Sequence, residues 1–414
     1  MRRRTFFALF GGGVLAWPKA LEALGTELRQ GGGPQDEAFW SFVRDQFLIP
    51  RDRIYLNNGT LGPSPAVVVD AVAEHARRVA STYPPGVDWA DLKGSVAGLL
   101  GGDPDGFVFP RNTTEAMSFV AQGLELEPGS EILTTDHEHI GGLCPWQMVC
   151  QRNDMDLRTF SLPAPSESAS QLLGIVGDAL SSRTRVLSLS HVTFTTGTRL
   201  PVEEIGRLCK ERGVIFVVDG AHPPGMMSID LSSLKQDFYA SSPHKWLLAP
   251  QGSGLLYLGE EWRTRLWPTL ASGGWDDLEL GAQRFNHLGT FDESRMVGLL
   301  AAVEFLGTIG MPRVEARVRF LQERLDQALR SLPGVRVVSP SVGELSTGMV
   351  SFKMEGVDSL ALQRHLAQVA KVRTRVISEY EYGWMRLSTH IYNFPEEVDR
   401  VVDLLDDVRR NGLG

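Results

Sequence analysis

The chain has 414 residues, 43% of them hydrophobic, a formal net charge of −9 and three cysteines. That length is enough for two domains with sizeable cores, and an acidic balance without a basic block beyond the first residues argues against nucleic acid as the main partner. Cys144, Cys150 and Cys209 form neither a metal-ligand spacing nor an even disulfide set, and the absence of internal repeats argues against a solenoid.

Arg2-Arg3-Arg4 and Thr5-Phe6-Phe7 open a charged-then-apolar run reaching about Trp17. It is too short for a membrane span and is ordered like an export signal. Paired arginines before phenylalanine resemble a twin-arginine signal, which implies export to the periplasm. Residues 1–30 are accordingly set outside the fold. Residues 36–50 read as a short amphipathic helix stopped by Pro50. Tyr55-Leu56 make a short extended piece and Asn57-Asn58-Gly59 a turn. Residues 65–80 begin with proline and keep helical spacing, which predicts a helix. Tyr83 and Trp89 bound a loop whose aromatics either line a pocket or cap a core.

A strand at Phe107–Phe109 then turns at Pro110 into a helix starting at Asn112 or Thr113, with Glu115 in its first turn. Free N–H groups and the hydroxyls of Thr113 and Thr114 at that start make a natural phosphate cradle. Glu131–Thr135 is a strand delivering Asp136-His137-Glu138-His139. A zinc reading of His137 and His139 is poor, because no neighbouring set completes a tetrahedron. Arg185–His191 is another strand, and a helix from Pro201 to Gly213 returns the chain in a βαβ unit. The apolar run Val214–Val218 suits a strand buried on both faces of a parallel sheet. It ends in Asp219, at the carboxyl end where such sheets bind ligands. Ser242-Pro243-His244-Lys245-Trp246 follows, before a glycine-rich return to the apolar run Leu255–Leu258. An acid able to pair a ring nitrogen and a lysine able to form an imine are the two groups that pyridoxal-phosphate chemistry requires. A nicotinamide dehydrogenase would need a G-x-G-x-x-G after a first strand, which is absent.

The stretch from Asp219 to Lys245 resembles the class V aminotransferases of pyridoxal-phosphate fold type I, the group that holds cysteine desulfurases, selenocysteine lyases and isopenicillin N epimerase-like proteins. The resemblance implies an α/β fold with a large domain on a mostly parallel sheet and a smaller α+β C-terminal domain. The corresponding division is 31–62 for an N-terminal segment on the small domain, 63–290 for the cofactor-binding domain and 291–414 for the small domain. From about Arg295 the pattern indeed changes to helix, helix (Pro312–Ser331), strand (Val335–Val338), strand (Met349–Lys353), helix (Ser359–Ala370), strand and final helix.

Residue by residue, the resemblance makes Lys245 the cofactor-bearing lysine and base, and Asp219 the partner of the ring nitrogen. Glu138-His139 followed by Pro145-Trp146 make His139 the ring-stacking residue. Thr113 and Thr114 serve the phosphate, and Ser242 and His244 belong to the lysine turn. Thr290, in a Gly-Thr turn, reaches the phosphate of a neighbouring subunit, which implies a homodimer with shared sites. Trp384-Met385-Arg386-Leu387-Ser388, with Tyr392-Asn393 beyond, make Arg386 the anchor of the substrate's α-carboxylate. Asn58 is either a substrate contact or a turn residue chosen for its backbone. The chain departs from the family at Thr193-Phe194, where an asparagine usually contacts the cofactor's phenolic oxygen; the resemblance implies His222, three residues after Asp219, as its replacement, because the matching family position lies beside that oxygen. Desulfurases carry a mobile cysteine shortly before the C-terminal arginine, whereas Glu379, Tyr380 and Tyr382 occupy that stretch here. The expected activity is thus pyridoxal-phosphate chemistry at the α-carbon of an amino-acid-type substrate: an epimerase or racemase, a β-elimination lyase, or an aminotransferase. A cofactor-free exported binding protein on the same fold is the rival from another class.

Overall fold

The computed structural model describes residues 17–82, 86–286 and 289–413. The arginine run at the N-terminus and Tyr83 lie outside the described residues.

A seven-stranded sheet positions the site. Its strands are β2 (Phe107–Val108), β3 (Glu131–Thr135), β4 (Asp156–Phe160), β5 (Thr184–Ser190), β6 (Ile215–Asp219), β7 (Phe238–Ser241) and β8 (Leu255–Leu258), in the order β2-β8-β7-β6-β5-β3-β4. All neighbours are parallel except β8, which runs antiparallel to both β2 and β7. The central strands β5, β6 and β7 are buried along nearly their whole length, and β6 reads as the near-continuous apolar run that such burial gives. Register pairs Ser190 with Asp219 and Asp219 with Ala240, so the carboxyl ends of three strands lie side by side. Two of these strands carry little sequence signal. At the sheet edge, β4 pairs only with β3 and alternates partly exposed polar residues, while β7 is four residues long.

The smaller sheet is antiparallel, in the order β12-β13-β10-β9, from β9 (Val335–Val337), β10 (Met349–Met354), β12 (Arg375–Ile377) and β13 (Trp384–Ser388). The helices Met311–Ser331, Ser359–Ala370 and Pro395–Asn411 pack against it over a core containing Leu321, Leu325, Phe352, Leu366 and Leu405. A two-residue strand β1 (Ile54–Tyr55) pairs in parallel with β11 (Val372–Arg373), tying the early chain to the late one. Arg317 strengthens that tie: fully buried, it donates to Pro34 O at 2.7 Å, Asn393 O at 2.9 Å and the Glu37 carboxylate.

Three expectations change. Residues 17–30, set outside the fold on composition, form a helix from Trp17 to Gln30 that buries Leu21, Leu24 and Leu28 in the main core. Those leucines recur at helical spacing, and the charged-then-apolar stretch ahead of them obscured it. The amphipathic helix expected over 36–50 spans only Glu37–Arg44, capped by Asp36; its chain then turns so that Phe47 bridges Pro65. The helix Ser294–Ile309, assigned to the small domain, packs on the helices Ala66–Thr82 and Trp89–Leu100 of the large layer. It is apolar all round because it is buried all round. Gly310, at φ 92°, breaks it from the helix that follows. No single helix among the described residues is long and apolar enough to cross a membrane.

Candidate active site

The carboxyl ends of β3, β5, β6 and β7, the start of the helix Thr113–Gly123, and the inner face of the small sheet enclose a cavity of about 340 Å³. Lys245, Asp219, Arg386, His139, His222, Thr113, Thr114, Ser242 and His244 all line it. Residues up to 327 positions apart (Gly59 and Arg386) thus converge on one concave site, as binding pockets at the switch region of an α/β sheet do.

Asp219 ends β6 fully inside the protein, its Oδ1 accepting from Ala221 N at 2.9 Å. Burial pushes its carboxyl up while Lys245 pulls it down. A methyl group on Gly142 would sit 2.8 Å from Asp219 Oδ2. Glycine at that helix turn therefore keeps the free oxygen open to an incoming ring nitrogen. Lys245 stands on a turn held by Lys245 N donating to Ser242 O at 3.0 Å and Gly62 N donating to His244 O at 2.8 Å. Burial brings its amine down to about 8, against the pull of Asp219.

At the phosphate end, Asn112 caps its helix by accepting from Glu115 N at 2.9 Å, and Thr113 N donates to Ser242 Oγ at 3.1 Å. The cradle is therefore built largely from hydroxyls, with Thr113 Oγ1 2.7 Å from Ser242 Oγ and Thr114 exposed toward the opening. A Cβ on Gly141 would meet Thr114 Oγ1 at 2.4 Å, so glycine leaves that hydroxyl free to keep its present rotamer. His244 is held neutral by burial, near 4.

His139 caps the helix Ile140–Asn153, its Nδ1 accepting from Gly141 N at 3.1 Å, and its ring meets the edge of Phe194 at 5.1 Å. Burial, with Lys245 beside it, lowers it to about 4, so it presents a neutral ring to the cavity. Glu138, named in the sequence only as part of the motif, anchors it from behind. Its carboxylate accepts from Thr135 Oγ1 at 2.6 Å and Ser190 Oγ at 2.5 Å, joining the ends of β3 and β5. Burial raises Glu138 to about 7.

His222 answers the departure at Thr193-Phe194. The Thr193 hydroxyl is taken up within its own turn, 2.7 Å from Thr196 Oγ1, and Phe194 puts an apolar ring on the cavity wall. His222 Nδ1 accepts from Trp246 Nε1 at 3.0 Å. Indole can only donate, so the neutral imidazole carries its proton on Nε2. That Nε2 is buried without a partner among the described residues, and burial keeps the ring neutral. A fixed, unpaired donor lining the cavity suits a phenolic oxygen.

Arg386 is buried on β13, donating from Nη1 to Phe194 O at 2.6 Å and from Nη2 to Thr60 Oγ1 at 3.1 Å. Its Nε has no partner among the described residues, and burial brings the guanidinium down to about 9. The Asn57-Asn58-Gly59 turn does reach the site, but through Gly59 and Thr60. Asn58 is not among the residues lining the cavity; its Oδ1 accepts from Tyr392 OH at 3.0 Å, a side-chain tie to the late chain. Thr290 is exposed and does not line this cavity. Trp89 likewise borders a separate recess beside Phe291. His137 is spent inside the protein, bonded to Thr195 Oγ1 and stacked on Tyr382 at 5.4 Å. Arg375, on the cavity wall beside Arg386, was not singled out from the sequence.

The residues present thus fit pyridoxal phosphate on three observations: the orphaned His222 donor, the Asp219 oxygen kept open by Gly142, and the hydroxyl cradle relieved by Gly141. Comparison with known proteins agrees. A family profile described as "Aminotransferase class-V" matches residues 88–401. Isopenicillin N epimerase of Streptomyces clavuligerus is 32% identical over 391 residues, covering 89% of this chain and 98% of that protein. A probable cysteine desulfurase of Pyrococcus abyssi is 28% identical, covering 88% and 96%. Among solved structures, C-DES with glycine covalently linked to its PLP cofactor superposes with a TM-score of 0.79 at 26% identity, over 88% of this chain and 99% of that one. C-DES in complex with cysteine persulfide, described as a cystine C–S lyase, gives 0.77 at 26% identity, over 86% and 98%.

Proposed function

The chain belongs to the class V aminotransferase family and is a pyridoxal-phosphate enzyme, and from that premise we propose that it acts as an epimerase or racemase, removing and returning the α-proton of an amino acid or amino-acid-containing substrate. The observation that carries the α-carbon chemistry is the meeting of Lys245, Asp219 and Arg386 in one cavity, and the 32% identity to isopenicillin N epimerase favours epimerisation. When bound, the cofactor supplies an electron sink for charge left at the α-carbon.

The chain's own groups do the rest. Lys245 holds the aldehyde end, and its amine, midpoint about 8, is poised near neutrality as the base that takes the proton. Asp219 would hold the ring nitrogen, and the unpaired His222 Nε2–H would donate to the phenolic oxygen. Thr113, Thr114 and Ser242 hold the phosphate. Arg386 grips the α-carboxylate with the unpaired edge of a fork already oriented by Phe194 O and Thr60. Fixing both ends of the substrate selects which bond at the α-carbon breaks.

No cysteine follows Cys209, so the stretch before Arg386 carries no thiol for a persulfide route. A second reading, β-elimination, draws on the likeness to C-DES, the cystine C–S lyase. The discriminating experiment incubates the holoenzyme with L- and D-amino acids in heavy water. Deuterium at the α-carbon with inversion supports epimerisation. A keto acid with ammonia supports elimination, and amino-group transfer to the cofactor supports an aminotransferase.

Two further properties belong to this proposal. Export by a twin-arginine route rests on residues 2–7 and is tested by fractionating cells that express the chain with and without Arg2→Lys, Arg3→Lys. A homodimer with shared sites is read from the Gly289-Thr290 turn, whose threonine is exposed and not among the residues lining this cavity; Thr290→Val is expected to weaken cofactor binding without touching the protomer's own site.

A further inference from the structure

Arg375 and Arg386 are direct cross-strand partners in the small sheet. Directly opposed residues share a face, with Cβ atoms about 5 Å apart, and like charges in that position are destabilising. Both arginines line the cavity, together with Lys245, and Asp219 is the only carboxylate on its wall among the described residues. Arg386 has a role in holding an α-carboxylate; a second guanidinium beside it does not follow from that role.

What Arg375 does in the structure is pair with Glu379, four residues on in the same segment. The pairing is one-sided: Glu379 Oε2 is buried with no partner among the described residues. Glu379 is also held on a costly backbone, since Tyr380 and Glu381, the next two residues, have φ of 56° and 61°. The loop keeps this shape because Tyr380 OH donates to Glu138 O at 2.7 Å and Tyr382 OH to Asp136 O at 3.3 Å. Tyr382 also stacks on Trp384 at 4.0 Å. A carboxylate is thus kept against a cation on the cavity wall by a fixed loop.

We propose that Arg375 reads a second carboxylate on the substrate, with Glu379 holding that place until the substrate arrives. The substrate class is then an amino acid or amino-acid-containing molecule with two carboxylates: one on Arg386, one on Arg375. This deepens the functional reading above, on which the identity of the first carboxylate rests.

The test is calorimetric titration of the protein, with pyridoxal phosphate present, using glutarate, adipate and butyrate as probes. Wild type binds at least one dicarboxylate about tenfold or more tighter than butyrate, the effect of one added charge-assisted pair. Arg375→Gln removes that advantage and leaves butyrate unchanged, whereas Arg386→Gln weakens both. Glu379→Gln, which deletes the competing carboxylate but keeps the cation, tightens dicarboxylate binding several-fold. The proposal is overturned if wild type shows no dicarboxylate preference, or if Arg375→Gln weakens both probe classes equally or neither. Should Arg375→Gln fail to fold, Glu379→Gln decides, and unchanged dicarboxylate affinity overturns it. Absence of the cofactor's visible absorbance would count against the cofactor reading alone, since both arginines belong to the chain itself.

Discussion

Replacing Lys245 by methionine is expected to stabilise the cofactor-free protein at neutral pH while abolishing covalent capture of the cofactor. Burial brings the Lys245 amine from 10.5 to about 8 even against the attraction of Asp219. Between those two values the unfolded chain holds a proton that the folded chain has released, so stability rises with pH across that window. Below about 8 both states are protonated, and the full penalty of a confined ammonium remains. At 1.36 kcal/mol per pH unit the penalty is about 3 kcal/mol; the amine faces a cavity that admits water, so about 1–3 kcal/mol is the expected gain. Wild type and Lys245→Met, stripped of cofactor, are compared by scanning calorimetry at steps from about pH 7 to 10.5. The variant should melt a few degrees higher at neutrality, and the gap should close toward the alkaline end. A variant less stable at neutral pH, or a gap insensitive to pH, would refute the claim that charge confinement sets this residue's cost.

Three further outcomes are expected. Gly142→Ala, which would place a methyl 2.8 Å from Asp219 Oδ2, should weaken cofactor binding about tenfold or more by absorbance titration while moving the unfolding free energy by no more than about 1 kcal/mol, since alanine suits the helix. His222→Leu removes the donor facing the phenolic oxygen and should weaken cofactor affinity about tenfold; His222→Asn, which keeps a donor and an acceptor, should stay within about threefold. Leu28→Ala, at a fully buried position of the N-terminal helix, should cost about 2–5 kcal/mol in urea unfolding. A value near zero would mean that this helix is not part of the cooperative core.

The parts of the site that were legible in the sequence are those whose signal is local. Asp219 ends an apolar run, Lys245 sits in a short turn motif, and Arg386 sits in a signature near the C-terminus; each lines the cavity. What sequence reading missed depends on contacts made across the chain. Thr60 matters because it accepts from Arg386, 326 positions away. Gly142 matters because its missing methyl would collide with Asp219. Arg375 becomes conspicuous only once strand register sets it opposite Arg386. Asn58 illustrates the converse: its motif was visible, yet the turn directs its side chain to Tyr392 and leaves Gly59 and Thr60 at the cavity. In the fold, the buried parallel strands declared themselves by apolar runs, whereas the edge strand β4 and the short β7 had no run to show.

The segment between β12 and β13 shows how one architecture is turned toward different chemistry. A desulfurase needs a thiolate that can travel to the substrate from this stretch. Here the corresponding residues are phenols and a carboxylate, and both phenols are bonded to backbone carbonyls at the end of β3. Burial pushes Tyr380 and Tyr382 up to about 12, so neither supplies a nucleophile near neutrality. Because Tyr380 grips Glu138 O, the loop instead braces the residue preceding His139, whose ring lines the cavity. A stretch fixed at that point can shape the pocket and set its charge, but it cannot deliver a sulfur acceptor.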